Sequence, residues 1–204
     1  MDMTPGDAAL LVSQLAMGFA LAATVGLRTF LPLLAGGLLA RFGYVDLGSS
    51  FEWMAKTPAL IVFGSAVVFE ILADKVPGLD HALHFVETFV KPVAGTLVAA
   101  SLFTNLDPMT AVVLGLVGGG TIAGAVHVAK GTTRAASTVL TGGLGNPVLS
   151  IFDDVLAMGG IILAVLAPII AALIVIVLVI GVLRLVTKRR RQAAASPPAT
   201  PVSR

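Results

Sequence analysis

Four carboxylates and four cations fall within or beside stretches of this chain that are otherwise apolar: Glu70, Asp74, Asp153 and Asp154 against Arg28, Lys75, Lys130 and Arg134. An ionised group at the centre of a bilayer costs about 2.5–3.5 kcal/mol on insertion scales, so residues placed this way are candidates for a site. Glu70 and Asp74 are four apart and share a helix face, while Asp153 and Asp154 lie about two turns into the apolar run that starts at Pro147. His127, Lys130 and Arg134 recur at spacings of three and four, which makes one basic stripe if a helix continues through them. With Arg28 and Asn146 that stripe could receive an anion. Glu70, Asp74, Lys75, Asp153 and Asp154 would then couple to protons or balance the charge as ion pairs. The competing readings are a fixed ionic network that locks helices together and, for Lys75 and Lys130, snorkelling to the interface.

Other patterns carry less. Asp80, His81, His84 and Glu87 have spacings that a metal site could use, but a solvated, charged helix start after Pro77-Gly78 explains them equally well, so no metal or other cofactor is expected. Gly118-Gly119-Gly120, with Gly115 and Gly124, lacks the Gly-Lys-Ser/Thr of a phosphate loop and reads as close helix packing. His-Glu-x-x-His, Gly-x-Ser-x-Gly and a paired Asp-x-x-Asp are all missing, so an enzyme is not expected. With no cysteine, thiolate chemistry and disulfides are excluded.

The elements that must hold these charges are membrane helices. Apolar residues make up 57% of the 204 and charged residues 12%, and mean hydropathy is +1.00. That balance excludes an ordinary soluble domain. At about 20 residues per span there is room for five to seven. No ten-residue alternation suggests a barrel, so the fold class is all-α, a polytopic helical bundle. Six of the thirteen basic residues stand in the last 21 positions, Arg184, Lys188 to Arg191 and Arg204, which places basicity in a tail and gives no sign of a nucleic-acid partner. The N-terminus lacks a basic n-region and a cleavage site, and reads as a retained span.

Hydropathy predicts spans over 8–25, 58–76, 88–104 and 110–129, with two more in 147–186. The last run is cut near Ala167-Pro168, although one long tilted helix is the alternative. Residues 26–43, with Pro32 and Gly36-Gly37, read as a short re-entrant or interfacial helix, and 44–57 as a polar loop. Lys130–Asn146 reads as a second broken segment, and 187–204 as a basic, disordered cytoplasmic tail. An offset of 106 places Arg28 on Arg134 and Gly36-Gly37-Leu38 on Gly142-Gly143-Leu144; an offset of 89 places Pro58 on Pro147. Two copies, 8–105 and 110–186, with three spans each would have opposite orientations, an arrangement common in secondary transporters.

Five motifs in order, Gly26-Leu27-Arg28-Thr29-Phe30-Leu31-Pro32, Glu70-x-x-x-Asp74-Lys75-x-Pro77-x-x-Asp80, Pro92-x-x-Gly95, His127-x-x-Lys130-x-x-x-Arg134 and Asn146-Pro147-x-x-Ser150-x-x-Asp153-Asp154, resemble the domain of unknown function 4126 family. Asp153 stands where that pattern has Glu. The resemblance covers about 8–186 and implies a bacterial integral membrane protein with no activity to carry over.

Six spans and a basic end predict the cytoplasmic membrane with both termini cytoplasmic and the loop from Asp46 to Lys56 outside. The expected function is transport of an anionic small molecule or lipid headgroup, possible proton coupling included. A non-transporting scaffold or assembly factor is the alternative. Membrane lipids are the expected partners, with homo-oligomerisation open.

Overall fold

A computed structural model describes residues 4–74 and 79–195 of the chain. Every regular element among them is helical. Helix α1 (Pro5–Leu27) begins where Thr4 and Asp7 cap each other's backbone N–H and Pro5 takes the first position, where its missing N–H costs nothing. It stops because Arg28 is extended, at φ −131° and ψ 118°. After it come α2 (Phe30–Arg41), a 3-10 turn (Ser49–Ala55), α3 (Thr57–Ala73) and α4 (Leu79–Ser101). Asp107 caps α5 (Pro108–Leu114), which continues through a π segment (Gly115–Gly120) into α6 (Thr121–Thr141) as one rod of 34 residues. Helices α7 (Asn146–Leu166) and α8 (Pro168–Ala195) complete the chain.

Side-chain contacts fix the directions. Helix α4 runs antiparallel to α1: Gln14 Nε2 donates to Thr104 Oγ1 at one end, and Lys91 Nζ donates to the Gly26 carbonyl at the other. From Arg28, α2 turns back, and α3 returns beside it, with Arg41 donating to Thr57 and the Thr29 N–H donating to Glu70. Helix α6 lies parallel to α1, Phe19 facing Gly118 and Lys130 donating to the Leu27 carbonyl. Helix α7 descends, with Asp154 beside Arg28 and Gly160 against Thr24. Then α8 doubles back along α1, the two enclosing with α7 an apolar groove that includes Ala20, Gly160, Ala171 and Val175.

Small residues permit this closeness. A Cβ on Gly119 would stand 2.6 Å from the Gly95 carbonyl oxygen, and one on Gly95 would stand 2.5 Å from the Ala123 Cβ, so α4 meets the π segment nearly backbone to backbone. Outward, Phe69, Leu140, Leu144, Ile151, Phe152 and Leu166 are exposed, an apolar surface far larger than a soluble monomer presents.

Three described helices, Pro5–Leu27, Pro108–Thr141 and Asn146–Leu166, are long and apolar enough to cross a bilayer, and the pair Ser49–Ala55 with Thr57–Ala73, bent by 62°, would make a fourth. Hydropathy alone predicts six. Helix α4 is long enough, but Asp80, Glu87 and Lys91 interrupt it.

Four sequence readings change. The N-terminal half of α1 lies at the same end of the bundle as the 44–57 segment, because Gly48 donates to the Ser101 carbonyl near the Gln14–Thr104 contact. The two had been expected on opposite sides, and α2, running back, is what brings them together. The helices aligned by the offset of 106, α1 and α6, run parallel, so this pair lacks the inverted orientation expected of the repeats. Residues 130–141, read as broken, continue α6, which ends only where Gly142 takes a left-handed φ of +63°. Helix α8 extends to Ala195, through Lys188 to Arg191, since Lys, Arg, Gln and Ala are all good helix formers. The cut at Ala167-Pro168 does separate two helices: Ala167 sits at φ −145°, as the residue before a proline is driven out of the helical region.

Candidate functional site

The site grows out of the broken end of α1. Wherever a helix stops, its last carbonyls and the next helix's first N–H groups lack partners, and inside an apolar bundle something must supply them. Two lysines answer the carbonyls. Lys91 Nζ donates to Gly26 O at 3.1 Å and Lys130 Nζ donates to Leu27 O at 2.7 Å, placing cations at the negative end of the α1 dipole. A single carboxylate answers the N–H groups: Glu70 accepts from Thr29 N at 2.8 Å and from Phe30 N at 3.2 Å, at the positive end of α2.

Arg28 sits in the break and is 1% exposed. Its guanidinium contacts Asp74 of the α3 end through Nη1 (2.5 Å), Asp154 of α7 through Nε (2.5 Å), and the Ser150 hydroxyl and carbonyl through Nη2 (2.8 and 3.3 Å). Arg134 reaches the same place from α6, 3.1 Å from Asp74 Oδ2 and 3.4 Å from Asp153 Oδ2. Lys130 Nζ lies 3.3 Å from Asp153 and 4.0 Å from Asp74. Three cations, Arg28 from the break after α1 and Lys130 and Arg134 from α6, therefore converge on one oxygen, Asp74 Oδ2, which also accepts from Ser150 Oγ at 3.3 Å.

Access is graded. The Arg28 and Asp74 side chains are 1% and 4% exposed, Arg134 and Asp153 12% and 13%, and Asp154 31%. Helix α4 extends twelve residues before Lys91 and α6 eleven beyond Lys130, about 16–18 Å at 1.5 Å per residue. The break is thus recessed inside the bundle.

A second cluster adjoins the first. Glu87 Oε2 pairs with Lys91 Nζ at 2.9 Å, and Glu87 Oε1 lies 3.4 Å from the Thr29 hydroxyl. His127 turns away from the arginines toward α4, with its Nδ1 3.9 Å from Glu87 Oε2 and its ring stacked on His84 at a centroid distance of 4.3 Å.

Of the residues singled out from sequence, Arg28, Asp74, Lys130, Arg134, Asp153 and Asp154 meet in one centre. Glu70 stands beside it as the cap of α2. His127 belongs to the second cluster, so the basic stripe is divided between two neighbours. Asn146 is in neither. It begins α7 and donates to Thr138 Oγ1, about 12 Å along the helix from Asp154. Lys75 lies outside the described residues, as do the side chains of Asp80 and His81. Sequence reading passed over Lys91, Thr29 and Ser150; Glu87 and Lys91, four apart in the span, were the available signal for the first.

The family model described as a domain of unknown function (DUF4126) matches residues 15–188, and the chain belongs to that family. No curated protein and no solved structure matches it.

Proposed function

Starting from a family with no assigned activity, we propose that this protein is a small membrane transporter for an anionic small molecule or lipid headgroup. Arg28, Lys130 and Arg134 bind the anion, and Asp74, with Asp153 and Asp154, holds those cations when the site is empty. The carrying observation is the convergence of three cations on Asp74 Oδ2 at 2.5, 3.1 and 4.0 Å. Each carboxylate oxygen there occupies a position that an oxygen of a phosphate or carboxylate ligand can take, since both accept from guanidinium forks in the same geometry. Protonating Asp74 removes the competitor and leaves the cations available, which couples anion binding to a proton. A buried ionic network is a poor way to stabilise a bundle, because apolar residues of similar volume often do as well or better, so its presence favours a working role.

The path follows the exposure gradient, from Asp154 through Asp153 and Arg134 to Arg28. By the positive-inside rule, the end of the bundle carrying the basic C-terminal helix is cytoplasmic. The N-terminus, which has no Lys or Arg before Arg28, lies on the other side with the loop that holds the chain's one Trp and one Tyr, Trp53 and Tyr44, both exposed as interface residues are. In this reading α1 and α2 enter the membrane as a hairpin with Arg28-Thr29 at its tip, and α3, α4, α5–α6, α7 and α8 cross.

One observation favours the scaffold alternative: Arg28, Lys91 and Glu70 are at most 1% exposed and each is partnered. Uptake assays separate the two. Proteoliposomes holding the full chain are placed in solutions of radiolabelled anions, in turn phosphate, small carboxylates and glycerophosphate, under an imposed pH gradient. Transport predicts uptake of at least one that Arg134→Gln abolishes and dissipation of the gradient reduces. Leakage equal to empty vesicles across the panel, from protein that is monodisperse and folded, leaves the scaffold.

A further inference from the structure

His127 is 97% buried, being 3% exposed, and its Nδ1 has no hydrogen-bond partner. The neighbouring bonds determine what that nitrogen carries. Thr88 Oγ1 donates its one proton to the His84 carbonyl at 2.9 Å, so in its 3.2 Å contact with His127 Nε2 the hydroxyl accepts. Nε2 is therefore the protonated nitrogen of the neutral ring, and Nδ1 presents a bare lone pair. Facing it at 3.9 Å is Glu87 Oε2, another acceptor. Two electron-rich atoms confront each other across a gap too long for a hydrogen bond and about half an ångström wider than the roughly 3.4 Å that separates two ligands of a tetrahedral ion with bonds of about 2.0–2.2 Å, a difference a small side-chain rotation closes.

His84 completes the arrangement. One ligand atom from each of His84, Glu87 and His127 lies within 4.8 Å of the others. The His84 ring packs against α6 beside Gly131, where a Cβ would come within 2.9 Å of Nε2, so that glycine makes room for the imidazole. His84 is half-buried and gives the cluster an edge through which an ion can enter. The Thr88 hydroxyl, linking the back of one imidazole to the backbone of the other, is the kind of orienting contact that metal-bound histidines make.

We propose that His84, Glu87 and His127 form a binding site for a zinc-like divalent transition-metal ion. Two imidazole nitrogens and one carboxylate oxygen are a donor set that suits zinc and leaves a fourth position open. Lys91 shares Glu87 Oε2 at 2.9 Å, and a carboxylate, with about four lone-pair directions, can serve the ammonium and an ion together. The site uses none of the three cations assigned to the anion, so it stands or falls apart from transport.

The test uses the full chain in detergent, purified through a histidine-free tag, stripped by chelator and titrated with Zn²⁺ or Co²⁺ alone. Elemental analysis should give one ion per chain, and Co²⁺ should show visible ligand-field absorption. His127→Ala should abolish binding. Since that residue is buried, His84→Gln at the half-buried edge and Thr88→Val carry the test independently. Thr88→Val should weaken binding by about 10–100-fold, the usual loss when a metal-bound histidine's supporting contact is removed, and His84→Gln should weaken it by at least as much. No stoichiometric ion in the wild-type chain, or affinity unchanged in both folded variants, overturns the site.

Discussion

The Glu70 carboxylate lies 2.8 Å from the backbone nitrogen of Thr29, so the positive end of α2 is closed by a side chain from α3. This decides where an anion can go. A helix N-terminus in a membrane break is a ready anion site, but here Glu70 takes the N–H groups of Thr29 and Phe30 at its mouth. What remains for a ligand is the place now held by Asp74 among Arg28, Lys130 and Arg134.

Glu70→Gln should preserve the fold better than Glu70→Ala. The amide oxygen of Gln can still accept from the α2 backbone, whereas Ala leaves the buried Thr29 N–H unpaired, at about 1–3 kcal/mol, and the part-buried Phe30 N–H with it. Thermal unfolding in detergent checks this. Equal losses for the two substitutions would mean that charge, and not the cap, is what Glu70 supplies.

Arg28→Ala should destabilise far more than Arg41→Ala. Removing Arg28 takes from Asp74 the nearest of its three cations and from Asp154 its 2.5 Å ion pair, and breaking a buried pair costs about 3–5 kcal/mol. Arg41 makes one exposed hydrogen bond, to Thr57, and its loss should cost under about 1 kcal/mol. Similar folded yields of the two variants would contradict the buried pairing.

Gly119→Ala and Gly36→Ala should separate in sign. The first Cβ meets the Gly95 backbone at 2.6 Å and forces α4 away from the π segment, with overpacking costing about 1–3 kcal/mol. The second finds nothing within 4 Å, and at that helical position Ala should gain about 0.5–1 kcal/mol. Melting temperatures measured side by side in one detergent decide it.

Much of this was legible before any coordinates. Thr4-Pro5, Asp107-Pro108 and Ala167-Pro168 mark element boundaries through local chemistry, and Gly26-Leu27-Arg28 marks the break because a charge interrupts an apolar run. The course of α2 was not legible, since a twelve-residue apolar helix has the same composition whether it lies at an interface or returns through the bundle. Residues 131–141 were misread because Gly131, Thr132 and Thr133 are weak helix formers, and burial of Lys130 against Leu27 O overrides that weakness. Lys91 was missed because hydropathy treats a lysine near a span end as interfacial, and only the α1 carbonyls opposite show why it is buried. Pairing of His127 with His84 joins helices about 40 residues apart, a relation no local spacing encodes.

Asp107 provides a pH test outside the membrane-spanning segments. The hydroxyl and N–H of Thr110 hold its carboxylate below the ordinary value of 3.8. A depressed value means that the cap is fully formed above pH 3.8 and is lost as pH falls through the lowered value. Amide exchange at Thr110 and Ala111 should therefore stay slow down to that range and then speed up, in excess of the intrinsic pH effect. Asp107→Asn, which caps without ionising, should remove the transition.

The central claim is that the Arg28 centre is an anion site that opens, and Ser150 gives the most direct test. This residue is 0% exposed, its hydroxyl touches both Arg28 and Asp74, and the chain has no native cysteine to interfere. In Ser150→Cys reconstituted in liposomes, a small anionic thiol reagent should label the buried position. Labelling, expressed relative to the same reagent's rate with a free thiol at each pH because only the thiolate reacts, should be faster at low pH, where a protonated Asp74 no longer competes for the cations, and should be slowed by any anion the protein transports. A closed ionic lock predicts no labelling at any pH at which the protein stays folded, while the same cysteine reacts after denaturation; that result would contradict the account.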